Sequence, residues 1–281
     1  MTVTARAFAP GNMSGVFKVI ADEDPAKMHS LGLGFTVRDG TTVTLTQAQT
    51  ASLSFNGEAI DFPTVNNVLA TLAPGASLAV QIETPLPLSS GFGLSGASTL
   101  AAAFAVNELL DLGHDGVGLA TAAHVAEVRN LTGLGDVCGQ YHGGCLVKLV
   151  VGDPLAAEAM PVAMDVPIHY RYFSAIRTRD ILSDPRRRTQ INAAADAALA
   201  ELAILKRRDS LELEEPIRVS RRFAEESGLL THDEVRAAID EVSRAGGEAS
   251  MIMLGNAVFS TVPFSGSKAT SLSAQAVQVL P

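Results

Sequence analysis

The clearest hydrophobic pattern in the chain is an alternating segment, followed by a polar loop and a long apolar run. Apolar and polar residues alternate over residues 78–83, which predicts a half-buried strand. Residues 99–112 are almost wholly apolar and rich in Ala and Leu, which predicts a buried helix that ends at Gly113. Between them lies a glycine-serine loop (residues 87–98), in which three glycines and four serines occur in twelve residues.

The glycine-serine loop has the chemistry of an anion site. A strand, a glycine-rich loop and a helix together direct free backbone N–H groups and the positive helix end at an anion. Gly91, Gly93 and Gly96 let the backbone approach a ligand closely, and the hydroxyls of Ser95 and Ser98 could bind phosphate or magnesium. The alternative is a serine that only caps a core helix. No Lys follows the last glycine, so the loop is not a Walker A motif.

Similar patterns predict further elements in the first half of the chain. Residues 10–15, Pro-Gly-Asn-Met-Ser-Gly, predict a turn after an opening strand when they are taken alone. Alternating segments predict a small antiparallel sheet, and helical spacing of apolar residues predicts two more helices. These elements are strands at 3–9 and within 35–55, and helices at 63–72 and 119–131.

The second half of the chain is more charged and more helical. Residues 1–150 contain 18 charged residues and residues 151–281 contain 33, and the turn residues Gly152-Asp153-Pro154 mark the change. We therefore predict two lobes, 1–152 and 153–281. The predicted elements of the second lobe are a strand at 168–176, helices near 187–208, 216–228 and 232–244, and two late strands joined by a tight Gly255-Asn256 turn.

Composition narrows the possible functions. With 281 residues, 47% of them hydrophobic, the chain can bury a large core, and no apolar run reaches the ~18 residues of a membrane helix. We expect a cytoplasmic protein with no membrane partner. The net charge of −9 argues against nucleic acid as a partner, since a polyanion repels an acidic protein. The basic triplets 186–188 and 206–208 are interleaved with acids, which is typical of solvated helix faces. Cys138 and Cys145 are too few for a disulfide framework; a reactive Cys138 remains an alternative.

Three charged residues stand out against apolar surroundings. Glu127 lies in an otherwise apolar helix, where a lone acid usually faces solvent. Asp136 follows the turn Gly133-Leu134-Gly135 and could simply cap a short helix. Lys148 lies in a strand that is apolar on both faces, so its ammonium must reach either solvent or an anion.

The order of these motifs resembles that of the GHMP kinases, the galactose, homoserine, mevalonate and phosphomevalonate kinases. The glycine-serine loop is similar to their phosphate loop, and Ala9-Pro10-Gly11 is similar to their first motif, where mevalonate kinases carry a lysine in place of Asn12. Asp136 followed by Gly143-Gly144 is similar to their catalytic segment. Within the family, the resemblance is closest to the archaeal pantoate kinases, which tend to have arginine in place of Lys148. The segments that carry it are 91–97, 123–128, 132–137, 140–144 and 249–259.

The resemblance implies an α+β, two-lobed fold with a ribosomal protein S5 domain 2-like N-terminal lobe and a ferredoxin-like C-terminal lobe. It implies ATP and Mg²⁺ as cofactors. The implied nucleotide-binding residues are Pro87, Gly91, Gly93, Leu94, Ser95, Gly96, Ala97 and Ser98. The implied catalytic residues are Asp136, Glu127 and Ser95, the metal ligands are Glu127, Ser95 and Ser98, and the acceptor-binding residues are Asn12, Gly135, Asp136 and Lys148.

The function implied by the resemblance is ATP-dependent phosphorylation of pantoate to 4-phosphopantoate in coenzyme A biosynthesis. The sequence does not determine the oligomeric state, and a homodimer is one alternative. One alternative is another GHMP-type kinase that acts on a sugar, an isoprenoid alcohol or a shikimate-like acid. A second is an inactive sensor that binds nucleotide and metabolite. The presence of both Glu127 and Asp136 argues against the sensor, because phosphoryl transfer needs such groups.

Overall fold

The computed structural model describes residues 3–176 and 178–281, which form two sheets flanked by helices. Elements in the first part of the chain are β1 (Thr4–Ile20), β2 (His29–Gln47), β3 (Ser52–Phe55), β4 (Glu58–Ala59), α1 (Pro63–Leu72), β5 (Leu78–Glu83), α2 (Leu94–Leu110), α3 (Gly116–Asn130), α4 (Asp136–His142) and β6 (Cys145–Lys148). The later elements are β7 (Glu158–Ala159), β8 (Pro167–Ser174), α5 (Thr178–Leu182), α6 (Pro185–Leu205), α7 (Glu214–Glu226), α8 (Asp233–Arg244), β9 (Ala249–Met251), β10 (Asn256–Ser260), β11 (Lys268–Ser271) and β12 (Gln278–Leu280).

The first sheet has the strand order β12-β1-β2-β5-β3-β4, with β6 and β7 attached along β2. The long antiparallel pair β1–β2 is its centre, and the predicted turn at residues 10–15 is wrong. These residues stay in β1, because the ladder with β2 continues through two irregularities, at Pro10/Gly11 and at Ser14/Val16. Bulges of this kind turn side chains toward new directions without ending a strand. Asn12 and Ser14 lie between the two.

Helix α2 begins earlier than the apolar run predicts. It starts at Leu94, so the second half of the glycine-serine loop forms its first turns, and no serine caps it. Gly93 is the residue before the helix, with a left-handed φ of 61°. A Cβ at this position would lie 2.9 Å from Asp136 Cγ, which is too close. Glycine is therefore needed both for the left-handed backbone and for the packing against Asp136. The helix ends at Leu110, before the expected Gly113, since Asp111 is left-handed.

The second sheet has the strand order β11-β8-β10-β9 and is antiparallel throughout. Helices α7 and α8 pack on β9, and α6 packs on α7 and on β1. The strand and helices predicted for this region are confirmed within a few residues at each end. The predicted hairpin of two late strands is confirmed, because β9 and β10 pair antiparallel. Its turn lies earlier than Gly255-Asn256: residues 252–255 connect the strands, and Asn256 already belongs to β10.

The two sheets share one of the two hydrophobic cores, and the other lies between the first sheet and its helices. Phe35 of β2 and Phe259 of β10 connect the sheets, with ring centroids 5.6 Å apart, and Phe92 of the glycine-serine loop lies 4.9 Å from Tyr170 of β8. Strands β7 and β12, which follow residue 152, both belong to the first sheet. The fold is α+β with two lobes, as predicted, and the division at 152/153 stays a prediction. None of the helices in the described ranges is long and apolar enough to cross a membrane.

Candidate active site

A cavity of about 660 Å³ opens between the glycine-serine loop and the second lobe. The start of α1, the turn after α3, the segment around α5 and the β9–β10 connection surround it. A pocket of this size is typical for a nucleotide-sized ligand. Its lining consists of Ser14, Asp136 and residues 60–64, 88–95, 130–132, 175, 176, 178–180, 253 and 254.

The β9–β10 connection supports the glycine-serine loop from behind. A Cβ on Gly255 would lie 2.1 Å from the carbonyl oxygen of Ser90 and 2.6 Å from the nitrogen of Gly91. A Cβ on Gly91, whose φ is +87°, would lie 2.9 Å from the carbonyl oxygen of Met253. The backbones of the loop and the connection are therefore in direct contact, which only glycine permits at these positions.

The predicted phosphate-binding residues separate into two groups. Gly91, Gly93, Leu94 and Ser95 line the cavity, whereas the cavity lining does not include Pro87, Gly96, Ala97 or Ser98. Ser98 is fully buried, and its hydroxyl has no hydrogen-bond partner in the described part of the chain. Because α2 begins at Leu94, Ser98 lies inside this helix and not in the loop before it. Its role as a metal ligand stays a prediction.

Glu127 is buried, so the solvent-facing alternative is wrong. Its Oε1 accepts hydrogen bonds from Ser95 Oγ at 2.7 Å and from Thr99 Oγ1 at 3.3 Å. Thr99 also contacts Thr64 Oγ1 at 2.7 Å, so hydroxyls from α1 and α2 surround an acid from α3. The other oxygen, Oε2, is buried without a partner among the described residues.

Burial is also what sets the charge of Glu127. Loss of solvent is the main cause that raises its pKa to about 7; the nearby Asp136 adds to this shift, and the hydrogen bond from Ser95 opposes it. A cation that binds Oε2 would favour the ionised form. The side chain is therefore close to half-protonated at neutral pH unless a positive charge binds beside it.

Asp136 is the first residue of α4 and is partly buried at the cavity wall. Its Oδ1 accepts hydrogen bonds from Asn12 Nδ2 at 2.8 Å and from Ser14 Oγ at 3.2 Å. Burial raises its pKa above the ordinary range, and the two hydrogen bonds oppose that shift. A Cβ on Gly133 would lie 3.0 Å from Asp136 Oδ2 and 3.2 Å from Glu127 Oε2. Both carboxylates thus turn one oxygen toward the same glycine.

Lys148 lies in a second, smaller cavity of about 50 Å³. Its side chain is only 8% exposed, so the alternative in which it reaches bulk solvent is wrong. The ammonium donates to the backbone carbonyl of Asp153, and burial lowers its pKa. Asn12 and Gly135 line the same cavity, and Ser14 lines both cavities. Three of the predicted acceptor-binding residues, Asn12, Gly135 and Lys148, therefore share the small cavity, and the hydrogen bond from Asn12 connects it to Asp136 in the large cavity.

Cys138 lines the small cavity as a buried thiol. Burial raises its pKa to about 11, so it stays protonated at neutral pH and is a poor nucleophile. The alternative of a reactive thiol beside Asp136 is not supported.

Sequence reasoning missed four polar groups of this site. Thr64, Thr99 and Ser14 form hydrogen bonds around the two carboxylates, and Arg179 lines the large cavity. One signal was available: Ser95 and Thr99 are four residues apart and so share a helix face. Arg179 belongs to the short basic segment 176–179, in which Arg177 lies outside the described residues.

Comparison with known proteins agrees with this arrangement. The family described as GHMP kinases N terminal domain matches residues 62–144, which include the glycine-serine loop, Glu127 and Asp136. Over the whole chain, a pantoate kinase of Methanocaldococcus jannaschii is 30% identical across 255 residues, covering 90% of each protein. This chain belongs to the GHMP kinase family.

Within that family, further relatives point to one subgroup. A pantoate kinase of Methanospirillum hungatei is 29% identical over 90% of this chain and 86% of its own length. A solved structure described as a phosphotransferase related to the coenzyme A biosynthesis pathway superposes with a TM-score of 0.83, at 26% identity, over 98% of each chain. A homoserine kinase from Cytophaga hutchinsonii, with a TM-score of 0.70 and 19% identity over 100% of this chain and 98% of its own, shares the fold.

Proposed function

We propose that this protein is a pantoate kinase, which transfers the γ-phosphoryl group of ATP to pantoate and forms 4-phosphopantoate. Relatives of that name match nine tenths of the chain. The observation that carries the proposal is the position of Asp136 at the wall of the nucleotide-sized cavity, with one oxygen held by Asn12 and Ser14 and the other free of protein hydrogen bonds among the described residues.

The glycine-serine loop would hold the phosphates of ATP. Phosphoryl transfer needs little covalent chemistry from the protein, so positioning and neutralisation of charge supply most of the rate. Gly91 and Gly93 lie at the cavity surface without side chains, and α2 begins directly after them. The positive end of this helix and the loop N–H groups favour an anion there.

A magnesium ion fits beside Glu127 and Ser95. Oε2 of Glu127 is a buried oxygen without a partner among the described residues, and Ser95 Oγ lies 2.7 Å from Oε1 of the same side chain. No group of three His, Cys, Asp or Glu side chains gathers in the described ranges. This suits Mg²⁺, which commonly takes one or two protein oxygens and completes its shell with water and phosphate. When bound, the ion would neutralise charge on the transferred phosphoryl group.

Asp136 would orient the acceptor hydroxyl and accept its proton through Oδ2. A general base must be ionised and within hydrogen-bond reach of the proton that it removes. The hydrogen bonds from Asn12 and Ser14 hold Oδ1 and favour the ionised form. Lys148 would pair with the carboxylate of pantoate in the small cavity, to which Gly135 contributes backbone. Lys148 forms no salt bridge within residues 3–176 and 178–281, although the charge of Asp153 acts on its pKa, and a buried ammonium of this kind is suited to bind an anion.

A panel of acceptors with Mg²⁺ and ATP tests the proposal. Pantoate, homoserine, mevalonate, shikimate and galactose are offered to the purified protein, with ADP release as the rate and ³¹P NMR to identify the product. We expect pantoate to be the preferred acceptor and Asp136→Asn to lower its turnover by about 10²-fold or more while ATP still binds, as for loss of a general base. Preference for another acceptor, or unchanged turnover in the variant, would overturn the assignment.

A further inference from the structure

The amide of Asn12 has one atom that the rest of the chain does not use. The side chain is 3% exposed, and Nδ2 donates to Asp136 Oδ1 at 2.8 Å. Because an ionised carboxylate can only accept hydrogen bonds, the NH₂ group must face Asp136 and the carbonyl oxygen must face away. That oxygen, Oδ1, is buried and has no hydrogen-bond donor in the described part of the chain.

Two glycines leave space beside Asn12 Oδ1. A Cβ on Gly139 would lie 2.5 Å from this oxygen, and a Cβ on Gly34 would lie 3.0 Å from it. Both glycines, Asn12 and Lys148 line the small cavity. The cavity therefore combines the ammonium of Lys148 with the unused carbonyl oxygen of Asn12. Any larger residue at the two glycine positions would crowd this oxygen.

We propose that Asn12 Oδ1 accepts a hydrogen bond from a second, non-reacting hydroxyl of the acceptor, and so selects hydroxy acids that carry two hydroxyl groups. This inference rests on the proposed function. In pantoate the second hydroxyl is adjacent to the carboxylate, so Lys148 would bind the carboxylate while Asn12 binds this hydroxyl. The reacting hydroxyl would point toward Asp136, past Ser14, which lines both cavities.

Asparagine is suited to this role because one amide can serve two partners of opposite kind. Its NH₂ group holds the carboxylate of Asp136, and its carbonyl oxygen stays available to a donor. Lysine, which the mevalonate kinases carry in the similar motif, has three donors and no acceptor. A substrate acid without the second hydroxyl would leave Asn12 Oδ1 buried and unpaired. Polar sites reject such analogues strongly for this reason.

Two acids that differ only in the second hydroxyl test the inference. Pantoate and 4-hydroxy-3,3-dimethylbutanoate have the same carboxylate and the same reacting hydroxyl. The ratio of their kcat/KM values is measured for the wild type, for Asn12→Ala and for Ser14→Ala. Ser14 is the matched control, because it also donates to Asp136 Oδ1 but is not among the residues with an unpaired buried atom.

We expect the wild type to prefer pantoate by at least 20-fold, in the range that an unpaired buried acceptor produces. Both variants should turn over more slowly, since both disturb Asp136. Only Asn12→Ala should lose the preference, with a ratio below 5, whereas Ser14→Ala should keep it. Equal use of both acids by the wild type, or a preference that survives in Asn12→Ala, would overturn the inference.

Calorimetric binding of the two acids to the wild type gives a result that does not depend on the variants. Tighter binding of pantoate by at least 20-fold supports the hydrogen bond to Asn12, and equal affinities contradict it. Efficient phosphorylation of both acids would overturn this inference alone and leave the proposed kinase intact. Absence of turnover with pantoate would overturn the proposed function, and this inference with it.

Discussion

Glu127 shows how its surroundings decide what a carboxylate can do. Burial raises its pKa to about 7, whereas in an unfolded chain it titrates near 4.5. The folded protein therefore holds a proton between pH 4.5 and 7 that the unfolded chain releases. A carboxylate whose pKa is raised in this way contributes less to stability as the pH rises through that window.

Gln at position 127, in the variant Glu127→Gln, cannot ionise. In metal-free buffer, the melting temperature of the variant minus that of the wild type should therefore increase as the pH is raised from 5 to 8. Glu108→Gln on α2 is the control, because it makes the same chemical change at an exposed position. Thermal denaturation over a pH series measures the effect. A difference that stays constant with pH would show that Glu127 is ionised throughout.

Lys148→Met keeps the volume of the side chain and removes its charge. If Lys148 binds the acceptor carboxylate, KM for pantoate should rise at least tenfold, about 1.4 kcal/mol, while KM for ATP changes little. Lys268→Met is a suitable control, since Lys268 is an exposed strand lysine of the second sheet. Equal changes in both constants would instead indicate that Lys148 supports the fold through its bond to Asp153.

At the residue scale, the sequence identified the acids but not their orientation. Glu127 and Asp136 were predicted together, and both turn one oxygen toward Gly133. Which oxygen is free depends on Ser14, Thr64 and Thr99, which come from distant parts of the chain. Ser98 lies inside α2 because this helix starts directly after Gly93, about one turn earlier than the apolar run indicates. Local patterns do not contain such tertiary contacts.

At the scale of elements, the site depends on contact between the glycine-serine loop and the β9–β10 connection. In Gly255→Ala the new Cβ would lie 2.1 Å from the Ser90 carbonyl oxygen, so the loop must move. We expect KM for ATP to rise several-fold and stability to fall by about 1–3 kcal/mol, as in other overpacked sites. Nucleotide titration and denaturant unfolding measure the two effects.

Gly152→Ala is the matched control for this variant, because a Cβ on Gly152 would have no neighbour within 4 Å. An unchanged KM for ATP in Gly255→Ala would show that the loop does not bind the nucleotide. The contact itself was not visible in the sequence, which predicted a tight Gly-Asn turn. Gly255 is needed for close approach to another backbone, and a single sequence does not distinguish this need from a turn.

Helices and strands were predicted best where buried residues follow the regular spacing of a single helix or strand. The strand at 78–83 and the helix at 63–72 have the bounds that the structure shows. Residues 10–15 were predicted wrongly, because Pro and Gly signal a turn locally while pairing with β2 keeps them in a strand. Asn12 and Ser14 lie between the two irregularities of that strand, and both donate to Asp136.

At the scale of the whole molecule, the shared core predicts that both lobes unfold together. Phe35 of β2 packs on Phe259 of β10, and Phe17 of β1 packs on Phe223 of α7. Thermal denaturation should show one transition, and Mg²⁺ with ATP at about 100 times its dissociation constant should stabilise the protein by about 2.7 kcal/mol. For a protein of this size that is a rise of roughly 5–10 °C in the melting temperature. Two transitions, of which ATP shifts only one, would contradict the shared core.

The pairing of β12 with β1 has a consequence for synthesis on the ribosome. Arg6, Ala7 and Phe8 are made first, yet their partners Leu280, Val279 and Gln278 emerge only after nearly all of the printed sequence. Until then, one edge of β1 presents unpaired backbone groups, which is the kind of edge that invites association with other nascent chains. Translation of the intervening residues at about 5–20 per second leaves this edge open for tens of seconds. We therefore expect nascent chains of this protein to associate less when this edge of β1 is protected until β12 is translated.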